Sequence, residues 1–159
     1  MALTFGVVLL LCGIGGIMAC ASECKNPSCP DGWFLLNDRC FIFVEQPRNF
    51  TEAEKVCILK GGNLASIRNA LENELVKALI VEAGFAAGST WIGFSDAITE
   101  GEFLWTDGSA FKFTDFAPTQ PDNFNMSEDC GEINITTQWN DDDCFDLNNF
   151  VCAKDVSCH

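Results

Sequence analysis

Residues 117–130 read APTQPDNFNMSEDC, a segment in which oxygen-bearing side chains surround a proline. A short way along the chain, residues 138–144 read QWNDDDC. The brief apolar run GEINI, residues 131–135, separates these two blocks of carboxylates and amides. Calcium takes six to eight oxygen ligands from carboxylates, amide carbonyls and backbone carbonyls. The two blocks therefore predict a site for a hard cation.

The candidate ligands of this site all carry side-chain oxygens. They are Gln120, Asp122, Glu128, Asn140 and Asp141. Pro121 has a fixed φ angle, which shapes the turn between its two neighbours. A cis bond before Pro121 would let both neighbouring side chains point to the same side, and the sequence leaves the isomer open. A single acidic loop residue is ordinarily just solvated, but five oxygen donors in this arrangement favour a metal site.

The first 21 residues carry no charged side chain and form an apolar run that ends in small residues. This pattern predicts a secretory signal peptide in residues 1–21, with Ala19-Cys20-Ala21 as the cleavage site. A membrane anchor is the alternative, but the run is short, interrupted by glycines and followed by no basic stop signal. We therefore expect a secreted, extracellular protein in which residues 22–159 form a single domain.

The formal net charge of −14 argues against nucleic acid or an anionic membrane surface as a partner. Outside the predicted signal peptide, an even number of cysteines indicates a disulfide framework in an exported chain. They are Cys24, Cys29, Cys40, Cys57, Cys130, Cys144, Cys152 and Cys158. A zinc site is disfavoured because these cysteines form no C-x-x-C pair and the only histidine is His159.

Two helix patterns lie in the first half of the chain. Thr51 is the predicted N-cap of the first helix, with Glu54 completing a capping box. Cys57 falls at helical spacing on the apolar side, so we expect it to face the core. Asn69 is the predicted cap of the second helix. The predicted apolar stripe of that helix is Leu71, Leu75, Ala78 and Leu79.

Strand patterns dominate the rest of the chain. They occur at residues 40–44, 90–94, 103–105, 131–135 and 149–153. The segment 95–130 is rich in loops and acidic residues, yet its many phenylalanines argue against disorder. We expect disulfides and a bound metal to hold this segment in shape. Helices followed by strands and a long loop predict an α+β fold.

The chain from about residue 29 to 154 resembles a C-type lectin-like domain. TWIGF (90–94) is similar to the W-I-G core strand of that family, and QPD (120–122) to its calcium and sugar motif. SEDC (127–130) and QWND (138–141) are similar to its E-D-C and W-N-D segments. The resemblance implies a fold with two helices, small antiparallel sheets and a long calcium-binding loop, and disulfides that cross-link it.

The same resemblance implies three disulfide pairings, which are Cys29–Cys40, Cys57–Cys152 and Cys130–Cys144. Cys24 and Cys158 are left over. They either pair with each other across adjacent termini or link chains into a homo-oligomer.

The resemblance also assigns roles within the long loop. Gln120, Asp122, Glu128, Asn140 and Asp141 would hold a principal Ca²⁺ ion and contact the hydroxyls of a sugar. A second set matches an auxiliary calcium site of some members, namely Asp96, Glu100, Asn123 and Asp129. The family associates the order Q-P-D with galactose-type hydroxyls and E-P-N with mannose-type hydroxyls. Phe124 stands where selective galactose binders carry an aromatic residue that packs on the apolar face of the sugar.

The expected function is that of a secreted, calcium-dependent lectin for galactose or N-acetylgalactosamine glycans on microbial surfaces, in innate immunity. The alternative is an ice-binding protein similar to the type II antifreeze proteins, which generally carry one further disulfide around this site. Catalysis is not expected, because the only histidine is His159 and the cysteines are predicted to be oxidised. Three sequons are candidates for N-glycosylation: Asn49, Asn125 and Asn134, of which Asn134 falls in a predicted strand.

Overall fold

The computed structural model describes residues 27–136 and 138–158, with the side chain of Cys158 excepted. The predicted signal peptide, Cys24 and His159 lie outside these residues. The described strands are β1 Pro27–Ser28, β2 Phe34–Leu36, β3 Arg39–Arg48, β4 Asn63–Leu64, β5 Thr90–Ser95, β6 Leu104–Trp105, β7 Glu128–Asn134, β8 Gln138–Asp143, β9 Asn148–Asp155 and β10 Ser157–Cys158. The helices are α1 Phe50–Leu59 and α2 Ala70–Glu82, and a 3₁₀ turn spans Phe124–Met126.

One sheet forms the frame of the molecule, with its main strands in the order β2-β3-β9-β5-β7-β8. β4 pairs with β9, β6 pairs with β5, and β1 pairs separately with β10. β3 and β9 run antiparallel from Arg39, opposite Asp155, to Arg48, opposite Asn148. The pairing of β5 with β9 is parallel, whereas the other described pairings of this sheet are antiparallel, as the resemblance implies. The predicted α+β fold with two helices is confirmed, and its main sheet is mixed.

Helix α1 begins two residues earlier than its capping pattern predicts. Asn49 is the N-cap, and its Oδ1 accepts a hydrogen bond from the Glu52 N–H at 2.9 Å. Thr51 lies inside the helix, so the predicted capping box was wrong. The Glu54 carboxylate instead accepts from the Leu64 N–H and from the Asn63 side chain, which ties α1 to β4. Cys57 is fully buried, as predicted.

Helix α2 begins as predicted but buries a face that only partly coincides with the predicted stripe. Asn69 is its N-cap and accepts from the Glu72 N–H at 3.0 Å. Of the predicted stripe, Leu79 is buried and Leu75 packs on the core, whereas Leu71 and Ala78 are exposed. Val76 and Ile80, outside the predicted stripe, are buried, so the stripe is shifted in part around the helix. A buried ion pair accompanies this shift. The Glu72 carboxylate bonds the guanidinium of Arg39 at 2.8 Å, which holds this polar face of the helix inward.

The long loop packs on an aromatic core, which we define as Phe94, Phe103, Trp105, Phe111, Phe113, Phe116 and Trp139. The ring of Trp139 lies 5.6 Å from that of Phe94 and 5.8 Å from that of Phe116. The Trp139 Nε1–H donates to Asn73 Oδ1 at 2.9 Å, which connects the core to α2. Aromatic packing therefore holds much of the segment that was expected to depend on disulfides and a metal.

Three disulfides join the described cysteines in the pairs that the resemblance implies. They are Cys29–Cys40, Cys57–Cys152 and Cys130–Cys144. The pairing of Cys24 with Cys158 lies outside the described residues and stays a prediction. Among the described residues, no helix is both long and apolar enough to span a membrane.

Candidate functional site

The candidate site lies where strands β7 and β8 meet the loop that contains the QPD segment. Glu128 opens β7, and Asp141 lies in β8 opposite Gly131. The loop approaches them through a cis peptide bond between Gln120 and Pro121. Three separate stretches of the chain, each fixed by the sheet or the loop, therefore converge on one point.

Three carboxylates meet at this point, and we refer to Asp122, Glu128 and Asp141 as the carboxylate cluster. One oxygen of each lies within 4.8 Å of the others. Asp141 is only 1% exposed, whereas Asp122 reaches solvent. The cluster thus combines a buried base with an open rim, which is an arrangement suited to holding a cation that also contacts a ligand from solvent.

Backbone N–H groups of the loop hold two of these carboxylates in place. Asp141 accepts from the Asp122 N–H at 3.1 Å and from the Asn123 N–H at 2.8 Å. Glu128 accepts from the Phe124 N–H at 2.9 Å. In return, the Glu128 N–H donates to Asn123 Oδ1 at 3.2 Å. The loop conformation and the positions of the carboxylates therefore depend on each other.

Among the described residues, no basic side chain forms a salt bridge with the carboxylate cluster. In the part of the chain that the structure describes, the salt bridges to carboxylates lie elsewhere, at Arg39, Arg68 and Lys77. Burial and the charges of Asp141 and Asp122 raise the pKa of the Glu128 carboxyl above its ordinary value, although the Phe124 N–H opposes this. The neighbouring charges thus disfavour the ionised form of Glu128, and a bound cation would offset that cost.

Gln120 supplies an independent sign that the site fits a cation. Its Oε1 is buried and has no hydrogen-bond donor among the described residues. A buried amide oxygen without a partner costs about 1–3 kcal/mol. An oxygen-binding metal would satisfy it, and an amide oxygen together with three carboxylates is a donor set that calcium prefers. The residues present therefore fit Ca²⁺.

Asn140, the remaining predicted ligand, makes a different contact in the structure. Its Nδ2 donates to Oε1 of Glu132 at 3.3 Å. Neighbouring residues of a strand point to opposite faces, and Asp141 already points to the carboxylate cluster. The role of Asn140 as a calcium ligand stays a prediction.

Glu132 is a polar residue of this region that the sequence analysis missed. It is buried and accepts from Ser89 Oγ at 2.8 Å and from Asn148 Nδ2 at 3.1 Å, besides Asn140. Burial, with the charge of Asp142, raises the pKa of Glu132 to about 7. A glutamate between Gly131 and Ile133 in the predicted strand GEINI is the feature that would have identified it.

The four residues of the predicted auxiliary set lie in one connected region. The Asp96 N–H donates to the Asp129 carbonyl at 3.2 Å, and Asn123 Nδ2 donates to Glu100. Asp96 is buried, and its Oδ2 accepts from the Gly101 N–H at 2.8 Å. Its Oδ1 is buried and has no partner among the described residues. Burial, and then the nearby charges of Asp129 and Asp141, raise the pKa of Asp96, whereas the Gly101 N–H lowers it. A second cation in this set stays a prediction.

Phe124 presents its ring to solvent beside the carboxylate cluster. It is 63% exposed, although its own N–H is bound to Glu128. The next apolar side chain, Met126, is 89% exposed. An exposed aromatic ring anchored next to a cation site can pack against the apolar face of a sugar. Its assignment as a sugar platform stays a prediction.

The three sequons differ in their structural settings. Asn49 caps α1 through its Oδ1, and Asn134 ends β7 and accepts from the Thr136 N–H at 2.9 Å. Asn125 lies in the exposed 3₁₀ turn between Phe124 and Met126, with a φ of 56°. Only the Asn125 sequon therefore lies within the candidate site.

Comparisons with known proteins agree with this architecture. The Lectin C-type domain matches residues 46–154. The chain is 39% identical over 153 residues to the galactose-specific lectin nattectin of Thalassophryne nattereri, covering 96% of each chain. It is 37% identical over 156 residues to the alpha-N-acetylgalactosamine-specific lectin of Patiria pectinifera, covering 91% of this chain and 92% of the relative.

Solved structures give the same result. The C-type lectin CEL-I from Cucumaria echinata superposes with a TM-score of 0.77 at 30% identity, covering 83% of this chain and 99% of that one. A calcium-independent type II antifreeze protein superposes with a TM-score of 0.75 at 31% identity, covering 83% of this chain and 98% of that one. With the domain match over most of its length and three disulfides in the expected pairs, the chain belongs to the C-type lectin domain family.

Proposed function

We propose that this chain is a secreted, calcium-dependent lectin that binds galactose- or N-acetylgalactosamine-type glycans, with residues 1–21 removed as a signal peptide. The observation that carries the proposal is the convergence of the three carboxylates of the cluster. The buried Oε1 of Gln120, two residues before Asp122, which has no partner among the described residues, supports it. Gln120, Asp122, Glu128 and Asp141, with Asn140, would hold the ion. Bound Ca²⁺ would supply open coordination positions for two vicinal hydroxyls of a sugar.

The side chains around the ion have distinct tasks in this proposal. Carboxylates of Asp122 and Glu128 accept hydrogen bonds from sugar hydroxyls, and the Gln120 amide donates one. The order of amide and acid then selects the hydroxyl arrangement that fits, and Gln120 before Asp122 is the galactose order of the resemblance. Phe124 packs on the apolar face of the sugar.

The relatives support the sugar class of the proposal. Two of the most similar curated relatives are named as lectins for galactose and for alpha-N-acetylgalactosamine. Binding by the site is proposed to serve recognition of microbial glycans. The proposal includes no catalytic step, because the described cysteines are oxidised in disulfides and the clustered carboxylates are assigned to the metal.

Affinity chromatography tests this function. Mature protein refolded from bacteria, which carries no glycan, is loaded with calcium on immobilised galactose. Free galactose and EDTA are applied to separate portions of the loaded column. We expect elution by both and no comparable retention on mannose. The double change Gln120→Glu and Asp122→Asn conserves the number of oxygen ligands and should transfer retention from galactose to mannose. Passage through the galactose column by a folded protein that binds calcium would contradict the galactose assignment.

Ice binding is the second candidate, and the superposition with a type II antifreeze protein favours it. The exposed side chains of Phe124 and Met126 give this face an apolar component next to the candidate cation site. Thermal hysteresis of the calcium-loaded protein distinguishes the two functions. The lectin proposal predicts no hysteresis beyond that of a control protein at equal concentration, whereas an ice-binding protein would show one.

A further inference from the structure

We propose that Asn125 is an N-glycosylation site and that its glycan regulates access to the candidate sugar site. The inference rests on the proposed function, because it requires secretion and a sugar site beside Asp122 and Glu128. Asn125-Met126-Ser127 has the N-x-S pattern, and the middle residue is not proline. The fold leaves Asn125 exposed, with its neighbours Phe124 and Met126.

Hydrogen bonds hold Asn125 at the edge of the candidate site. The turn that contains it is closed by the Met126 N–H, which donates to the Asn123 carbonyl at 2.8 Å. The flanking residues are bound to the site itself, since the Phe124 N–H donates to Glu128 and the Glu128 N–H donates to Asn123. Asn125 therefore cannot move away from the site without breaking the contacts that hold a predicted ligand.

The distance between Asn125 and the predicted ligands is short compared with a glycan. Asp122 and Glu128 are each three residues away, so each Cα lies within about 11 Å of that of Asn125 even for an extended chain. The left-handed φ of 56° at Asn125 is one that asparagine adopts more readily than most residues. A branched glycan on this turn would cover the exposed ring of Phe124 and the open side of the carboxylate cluster.

The modification uses the donor of the secretory pathway. A lipid-linked oligosaccharide diphosphate provides the sugar, and the bond between its C1 and the diphosphate oxygen breaks. A bond forms between C1 and Nδ2 of Asn125, which loses one proton, and the lipid diphosphate leaves. The other two sequons are not part of the candidate site: Asn49 caps α1, and Asn134 ends β7.

The test compares sequon variants of the full chain, secreted from a eukaryotic host. Peptide mass spectrometry reports the occupancy of Asn125, and a calcium-loaded galactose column reports binding. Ser127→Ala removes this sequon and keeps Asn125, whereas Asn125→Gln removes it by another route. Thr51→Ala is the matched control, because it removes the Asn49 sequon and keeps the Asn49 cap. Unmodified protein refolded from bacteria serves as the reference without glycans.

We expect that the galactose column does not retain wild-type protein with a glycan on Asn125, nor the Thr51→Ala control. It should retain both Asn125 sequon variants and the refolded protein. Two results would overturn the inference: an unoccupied Asn125 in the secreted protein, or occupied protein retained as strongly as Ser127→Ala. Failure of the refolded protein to bind galactose would instead overturn the proposed function, and the inference with it. The reference sample therefore separates the two failures.

Discussion

The aromatic core and the carboxylate cluster are neighbours, but packed aromatic rings form the first and like-charged side chains form the second. Trp139 in β8 packs on the rings of the aromatic core and has its Nε1–H satisfied by Asn73. Asp141 lies two residues further along the same strand, and its carboxylate belongs to the cluster of like charges. The core is formed by rings that pack on one another, whereas the cluster gathers like charges that form no salt bridge with a basic residue among the described residues. Strand β8 thus stabilises the fold through Trp139 and contributes Asp141 to the candidate site.

The largest expected effect comes from a substitution in the aromatic core. Trp139→Ala should lower the free energy of unfolding by about 3–5 kcal/mol, because it leaves a cavity and an unpaired Asn73 oxygen. Denaturant unfolding monitored by circular dichroism measures the loss. Phe145→Ala is the matched control, since this ring is 83% exposed and its loss should change stability by less than about 0.5 kcal/mol. Equal losses in both variants would contradict the assignment of Trp139 to the core.

The next effect belongs to the carboxylate cluster and depends on calcium. Calcium at 100 times its dissociation constant should raise the free energy of unfolding by about 2.7 kcal/mol in the wild type. Asp122→Asn should lose most of this increment, yet without calcium it should be as stable as the wild type, because one repulsive charge is gone. Glu82→Gln on α2 is the control and should keep the full increment. An increment that survives Asp122→Asn would place the ion elsewhere.

A smaller effect is expected at the rim of the site. Phe124→Ala should weaken galactose binding about 2- to 10-fold, which corresponds to about 0.5–1.5 kcal/mol for packing on an aromatic ring. It should leave calcium affinity and unfolding unchanged, because the ring is largely exposed. Galactose competition on the affinity column, with Phe145→Ala as control, measures the change. Unaltered competition would show that the ring serves only the loop.

The smallest expected effect is a pH dependence of stability that comes from Asp107, which lies far from the site. Burial opposes ionisation of Asp107, but hydrogen bonds from Ser109 and Ser66 and the charge of Arg39 lower its pKa below the ordinary value. Its contribution is therefore present above the unfolded pKa, which is about 3.9, and is lost as pH falls through the lower folded pKa. Stability curves of wild type and Asp107→Asn should converge at the acid end of this range. Parallel curves would contradict the assignment.

Local patterns predicted the elements of the fold better than the way they pack. The strand at 90–94 and the burial of Cys57 follow from short-range periodicity, and both are found. The inward face of α2 does not follow from it, because the pair of Glu72 with Arg39 joins residues that are 33 positions apart. The start of α1 was misplaced because Asn49 and Thr51 are both good caps, and only tertiary structure selects between them.

The candidate site was largely predictable because its residues are close in sequence and share one chemistry. Asp122, Glu128 and Asp141 do converge. The contact between Asn140 and Glu132 was not predictable, because it depends on the register of β7 and β8. The sequence predicted only in part that aromatic packing supports the long loop. Its phenylalanines argued against disorder, but the sequence did not show that they pack on Trp139.

Direct titration of calcium into the EDTA-treated protein, followed by calorimetry, tests the central claim most directly. Glu128→Gln is compared with Glu74→Gln, a change at an exposed carboxylate of α2. We predict saturable calcium binding in the wild type and in Glu74→Gln, with a marked loss of affinity in Glu128→Gln. Wild-type protein that binds no calcium, or a Glu128→Gln variant that binds it unchanged, would contradict the claim that the carboxylate cluster holds a cation.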